Sequence, residues 1–99
     1  MDGIRQYRLS LAAQARKFKR YPARAMEAGM SGTTEVRVVV APSGFPQDVS
    51  MAKTSGYDLL DQAALDMIRK AVPRTAIPEP LRGRSFVVSL PVVFDLAAE

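Results

Sequence analysis

Histidine, cysteine and tryptophan are all missing from these 99 residues. Without histidine the commonest general base near neutral pH is gone. Without cysteine, so are the thiolate nucleophile, the disulfide and the soft ligands of a structural zinc. Most enzyme readings weaken with them, and neither a catalytic residue, a metal nor a cofactor is expected. The missing cysteine leaves the redox compartment open. Long apolar runs are lacking too: no stretch approaches the roughly 20 residues that a bilayer-spanning helix needs. Met1-Asp2-Gly3 does not resemble a signal peptide. The chain is therefore expected to be a piece of something longer, with residues 1–5 an added start or linker remnant, 6–97 one folded domain and 98–99 a tail.

Acidic residues are scarce at the beginning, where Arg5, Arg8, Arg16, Lys17, Lys19, Arg20 and Arg24 are accompanied only by Asp2. Such a basic quarter can steer an acidic partner, a phosphate backbone or an anionic membrane surface, or serve as a solvated helix face. The rest is ordinary: 47% hydrophobic and 24% charged residues supply one core but not two at this length.

Apolar spacing predicts a helix over Ile4 to Arg20, with Tyr7, Leu11, Ala15 and Phe18 on one stripe. Tyr21-Pro22 stops it, because a residue before proline is pushed towards extended geometry. Pro22 then suits the first position of a short helix, Ala23 to Ala28, closed by Gly29. Thr33 to Ala41 reads as a strand with Val36, Val38 and Val40 on its dry face. Pro42-Ser43-Gly44 turns the chain into a second strand, Phe45 to Thr54. Asp58 is positioned to cap a helix to about Ala71 whose inner face carries Leu60, Ala64, Met67, Ile68 and Ala71. Asp58, Asp61 and Asp66 read as solvated positions of that helix. Pro73, Pro78 and Pro80 with Gly83 then predict a loop without regular structure.

Ser85 to Leu96 alternates strictly, with Phe86, Val88, Leu90, Val92, Phe94 and Leu96 at period two. The expected fold is α+β: a three-stranded antiparallel sheet of order 2-1-3, helices packed on one face, and the last strand at an edge. Pro91 has no N–H, so its parity must face away from the neighbouring strand. Val87, Ser89, Val93 and Asp95 would then offer unpaired backbone groups to solvent. An extended peptide can add to such an edge as an extra strand. The alternatives are an edge defended by Pro91 and Asp95, or one paired in a homodimer.

Other motifs carry little. Ser43-Gly44 and Ser55-Gly56 lack the G-x-S-x-G frame of a nucleophile elbow, and Gly29-x-x-Gly32 is too short for a phosphate loop. That same GXXG does not join two helices, as an RNA-binding KH clamp requires.

Tyr21-Pro22-Ala23-Arg24-Ala25, a following Gly32 and valine strand, Pro42-Ser43-Gly44, Ser55-Gly56 with Leu60-Asp61-Gln62-Ala63-Ala64, and Leu90-Pro91-Val92-Val93-Phe94 occur in that order. Together, over roughly Tyr7 to Leu96, they resemble the TonB C-terminal domain family. The resemblance implies a non-catalytic periplasmic module of an energy transducer, anchored in the inner membrane by a helix absent here and working with ExbB and ExbD. It implies that the last strand pairs with the Ton box of an outer-membrane receptor for iron complexes, haem, cobalamin or similar nutrients. It also places the YP segment, here Arg20, Tyr21, Pro22 and Arg24, beside that strand. Some members carry glutamines before the YP pair; here Phe18-Lys19-Arg20 stands instead. The candidate partner-binding set is therefore Arg84, Ser85, Val87, Ser89, Pro91, Val93 and Asp95, with Arg20, Tyr21, Pro22 and Arg24.

Two other readings compete. A basic nucleic-acid-binding α+β domain would need exposed aromatics on a strand face, and none is expected there, so no nucleic-acid partner is assigned. A TolA-like envelope domain would use the same edge with a different guest.

Overall fold

The computed structural model describes residues 3–96. Its first helix, α1, spans Gly3–Arg16 and buries Tyr7, Leu11 and Ala15 along one stripe. Gly3 itself packs so closely that a Cβ there would stand 3.0 Å from Leu81 Cγ. The helix thus starts inside the stretch expected to precede the domain; the expected tail at 98–99 lies outside the described residues. α1 stops at Arg16 rather than Arg20 because the amides of Lys17 and Phe18 turn back to the carbonyls of Gln14 and Ala15, each at 3.0 Å. These three-residue closures tighten and end the last turn. They leave Phe18 half-buried, with the Arg74 guanidinium 5.5 Å from its ring centroid.

The short helix α2 covers Ala23–Glu27, and Pro22 caps it from outside, its ψ of 133° being extended. The expected first-position role for Pro22 therefore gives way to an N-cap one. Gly29, at φ 70°, ends α2: its N–H donates to Met26 and that of Met30 donates back to Ala25. This paired closure needs a left-handed residue, which glycine adopts without a Cβ clash.

Strands β1 (Gly32–Val40), β2 (Pro46–Lys53) and β3 (Phe86–Phe94) form one sheet of order β2-β1-β3, antiparallel at both junctions. This is the α+β arrangement read from the sequence. The connecting helix α3, Asp58–Ala71, crosses the face on which α1 also lies. Between the helices and the sheet sit Val36, Val38 and Val40 of β1, the even-numbered residues of β3, and Leu60, Ala64, Met67 and Ile68 of α3. Each fully buried aliphatic or aromatic side chain contributes roughly 1.5–3 kcal/mol. Tyr7 meets Phe86 edge-on at 4.9 Å, and burial pushes its phenol up to about 12. The proline-rich connection does hold regular structure: single 3-10 turns at Val72–Arg74 and Glu79–Leu81. Proline at the first positions of such turns sacrifices no internal hydrogen bond.

Asp61 overturns its solvated reading, being only 4% exposed. Its Oδ1 accepts hydrogen bonds from the Thr34 hydroxyl at 2.7 Å, the Ser55 N–H at 2.9 Å and the Ser55 hydroxyl at 2.8 Å. The Thr54 hydroxyl donates to Oδ2. Asp58 is not the cap either; Tyr57 occupies that position without a side-chain bond, and Asp58 sits in the first turn, where the helix dipole favours a negative charge. One carboxylate thus ties β1, the residues after β2 and the start of α3 together. Burial alone would raise its pKa, but the donors of Thr54, Ser55 and Thr34 outweigh it and hold it at about 2.

A folded pKa of about 2 against an ordinary 3.8 stabilises the native state by about 2 kcal/mol when both states are ionised. The contribution is complete above the unfolded value and is lost as pH falls through the folded one. Asp61→Asn is therefore expected to lower the unfolding free energy by about 2 kcal/mol at pH 7. The gap to the unmodified protein should narrow below about pH 4, as urea titrations at several pH values will read.

Candidate functional site

β3 pairs with β1 over its whole length, from Val40 opposite Phe86 to Gly32 opposite Phe94, without a register shift. In this ladder Pro91 stands opposite Glu35. A residue without an N–H cannot exchange both bonds of a hydrogen-bonded pair, so Pro91 and Glu35 form a non-bonded pair. Bonded and non-bonded positions alternate. Phe86, Val88, Leu90, Val92 and Phe94 therefore bond to β1, and Val87, Ser89, Pro91 and Val93 direct their backbone groups away from it. A separate contact agrees: Arg8 Nε donates to the Ser89 carbonyl at 3.0 Å, which places that oxygen on the outer side.

The outer edge of β3 is about 30 Å long at ordinary strand rise. Val87 and Val93 are 44% and 51% exposed, while the even-numbered side chains are buried beneath the helices. The opposite edge differs. β2 meets β1 with register shifts between Glu35 and Val36 and again between Val39 and Val40, and it carries Pro46, Asp48 and Lys53. Bulges and charges of this kind twist an edge out of plane and hinder further pairing. Of the two edges, only that of β3 is a straight template.

A groove of about 240 Å³ runs beside it, walled by Ala12, Ala15, Arg16 and Lys19 on one side and by 90–93 on the other. At the far end of β3, Tyr21 stacks edge-on against Phe94 at 5.4 Å and donates its hydroxyl to the Met30 carbonyl. The Lys19 ammonium lies 5.9 Å from the centre of the same ring. The tyrosine-proline segment is thus fixed beside the strand, with Arg20 and Arg24 exposed on it. Cations on this flank favour a guest with negative charge.

The remaining sequence-derived residues lie off the ladder. Arg84 and Ser85 are exposed before β3 begins, and the Ser85 hydroxyl donates to Gln47 Oε1 of β2 at 3.4 Å. Asp95 follows the strand rather than belonging to it. Ser89 also departs from expectation, because its carbonyl is already held by Arg8. Sequence reasoning missed that contact: Arg8 is legible as polar, next to buried Tyr7, but only the placement of α1 alongside β3 brings it to the edge. Among the described residues no group of three or more metal-ligating side chains comes together, and no helix is long and apolar enough to cross a membrane.

A family model described as the Gram-negative bacterial TonB protein C-terminal matches residues 17–96. The chain is 40% identical over 82 residues to the TonB protein of Pseudomonas putida, covering 81% of this chain and 33% of that protein. To the TonB2 protein of Pseudomonas aeruginosa it is 42% identical over 79 residues, covering 77% and 28%. It therefore spans about a third of the length of these curated relatives. Among solved structures, a solution structure of the Helicobacter pylori TonB C-terminal domain superposes with a TM-score of 0.79 at 22% identity, covering 91% of this chain and 80% of that one. The HasB C-terminal domain does so with a TM-score of 0.57 at 24% identity, covering 89% and 68%. These structural likenesses concern the fold.

The two parities of β3 should respond oppositely to proline. Val92→Pro removes a ladder donor and leaves a β1 carbonyl unpaired, which should cost about 1–3 kcal/mol of stability. Val93→Pro, whose N–H faces outwards, should cost under about 1 kcal/mol, since no native hydrogen bond is lost. Thermal and urea unfolding of the two variants will compare them.

Proposed function

The chain belongs to the family of Gram-negative TonB C-terminal domains, and from that premise we propose that it is the non-catalytic periplasmic binding module of a TonB-type energy transducer. It engages TonB-dependent outer-membrane receptors by taking the receptor's Ton box as an added strand on β3. The observation that carries this reading is the regular nine-residue edge, whose odd-numbered backbone groups face away from the sheet.

In this mechanism the main chain supplies affinity and the flanking side chains supply selectivity. Val87, Ser89 and Val93 each offer an N–H and a carbonyl, and Pro91 offers a carbonyl alone. Arg8 yields the Ser89 oxygen to the guest's N–H as the strand arrives. Arg20, Tyr21, Pro22 and Arg24 line the guest's path at one end, and Arg84, Ser85 and Asp95 bracket the strand. Several parallel hydrogen bonds suit a force-bearing contact, because tension along the strand loads them together rather than one after another. The pull comes from the inner-membrane motor proteins ExbB and ExbD through the anchoring part of the full-length protein, and it opens the receptor to iron complexes, haem or similar nutrients.

Titrating the isotopically labelled domain with a Ton box peptide should shift the amides of Val87, Ser89 and Val93 and the signals of Tyr21. Val93→Pro should weaken binding about fivefold, the effect of one hydrogen bond of about 1 kcal/mol. Shifts confined to β2 or α3, or unaltered affinity of the proline variant, would contradict the reading.

A further inference from the structure

A cleft of about 470 Å³ opens between residues 17–22 and the outer side of α3. Its floor is apolar, made by Phe18, Leu59 and Ala63, all half-buried. Lys17, Arg20 and Lys70 stand around it, exposed, and no carboxylate pairs with any of them among the described residues. Asp66, the one acidic residue of the lining, is held by Arg69 at 3.1 Å. Leu59, Ala63 and Lys70 follow one another along α3 at helical spacing, on the flank of the stripe that Leu60, Ala64 and Ile68 bury in the core. Phe18, Leu59 and Ala63 pack against the margin of the core yet keep part of their surface open to the cleft, and the charge around that surface is strongly of one sign.

We propose that this cleft is a second binding site, for an acidic segment of a protein partner that places an apolar side chain on the floor and carboxylates against the rim. The shape selects this occupant. A free phosphate would leave the apolar floor unused, and a flat bilayer surface cannot reach into a concavity. Carboxylates on a peptide reach Lys17, Arg20 and Lys70 while an intervening side chain fills the hollow, and desolvating both strengthens the charge contacts. Lys19 and Met67 wall both this cleft and the groove beside Pro91 and Val93. The two hollows therefore adjoin, and a chain leaving the β3 edge at its Val93 end passes close to the cleft. That continuity rests on the edge pairing proposed above; the acidic-peptide site does not.

The probe is the peptide Glu-Glu-Leu-Glu-Glu, titrated into the labelled domain. Shifts should appear at Phe18, Leu59 and Ala63, with affinity falling about tenfold between low salt and 0.5 M salt. The double charge reversal Lys17→Glu and Lys70→Glu, at exposed positions, should abolish them while leaving Ton box binding at Val87 and Val93 unchanged. Replacing the central leucine by glycine should weaken the peptide severalfold. Absence of shifts at Leu59 and Ala63, equal binding of the glycine peptide, or binding that survives charge reversal each overturns the proposal. So does binding of phosphatidylglycerol vesicles by a domain that ignores the peptide. If the Ton box peptide fails while the acidic peptide shifts Leu59, the edge reading falls and the cleft stands; the converse removes the cleft alone.

Discussion

The missing amide hydrogen of Pro91 governs this structure more than any contact does. Opposite Glu35 it can belong only to a non-bonded pair, and because backbone polarity alternates along a strand, that one residue sets the direction of every N–H and carbonyl in β3. The same alternation turns Phe86, Val88, Leu90, Val92 and Phe94 into the core. A slip of one residue would bury Pro91 and expose the aromatic ends, so the hydrophobic pattern and the proline enforce the same register. The edge, apart from the Ser89 carbonyl that Arg8 holds, is left open as a consequence of how the core is filled.

That edge is useful only if β1 holds still beneath it. β1 is the middle strand, and the Asp61 carboxylate fastens its Thr34 to Ser55 and the first turn of α3. At the other end of the sheet Tyr7 packs on Phe86, while Tyr21 packs on Phe94 at the same end as Thr34. Binding groups on a rigid ladder lose little further freedom when a guest arrives. Arg8 complements this arrangement: by occupying the Ser89 carbonyl it interrupts an otherwise continuous row of acceptors, a mild defence against pairing with the wrong chain.

Much of this was legible in the residues. Strict alternation from Phe86 to Phe94, the valines of β1 and the stripe of α3 yield the sheet order and the core, because each follows from a local period. Pro91 yields the parity of the edge. What escaped reading was tertiary. Asp61 looks like any carboxylate in a first helical turn until Thr34, far away in sequence, and Thr54-Ser55 converge on it. The early stop of α1 reflects where Phe18 must go to meet α3 and Arg74, which no pattern within the helix encodes. The cleft and the Arg8 contact likewise arise between elements that local periodicity treats separately, and the defended β2 edge arises from bulges that alternation does not show.

The match to the TonB C-terminal family covers a stretch that contains β3, and the backbone chemistry of the same strand sets its outer edge. Amide hydrogen exchange of the free domain tests that edge most directly. The amides of Val88, Leu90 and Val92 should exchange slowly, near the limit set by global unfolding, while those of Val87, Ser89 and Val93 exchange orders of magnitude faster. Equal protection of both sets in the monomer would mean that the outer side of β3 is already bonded, and the account of the edge would not stand.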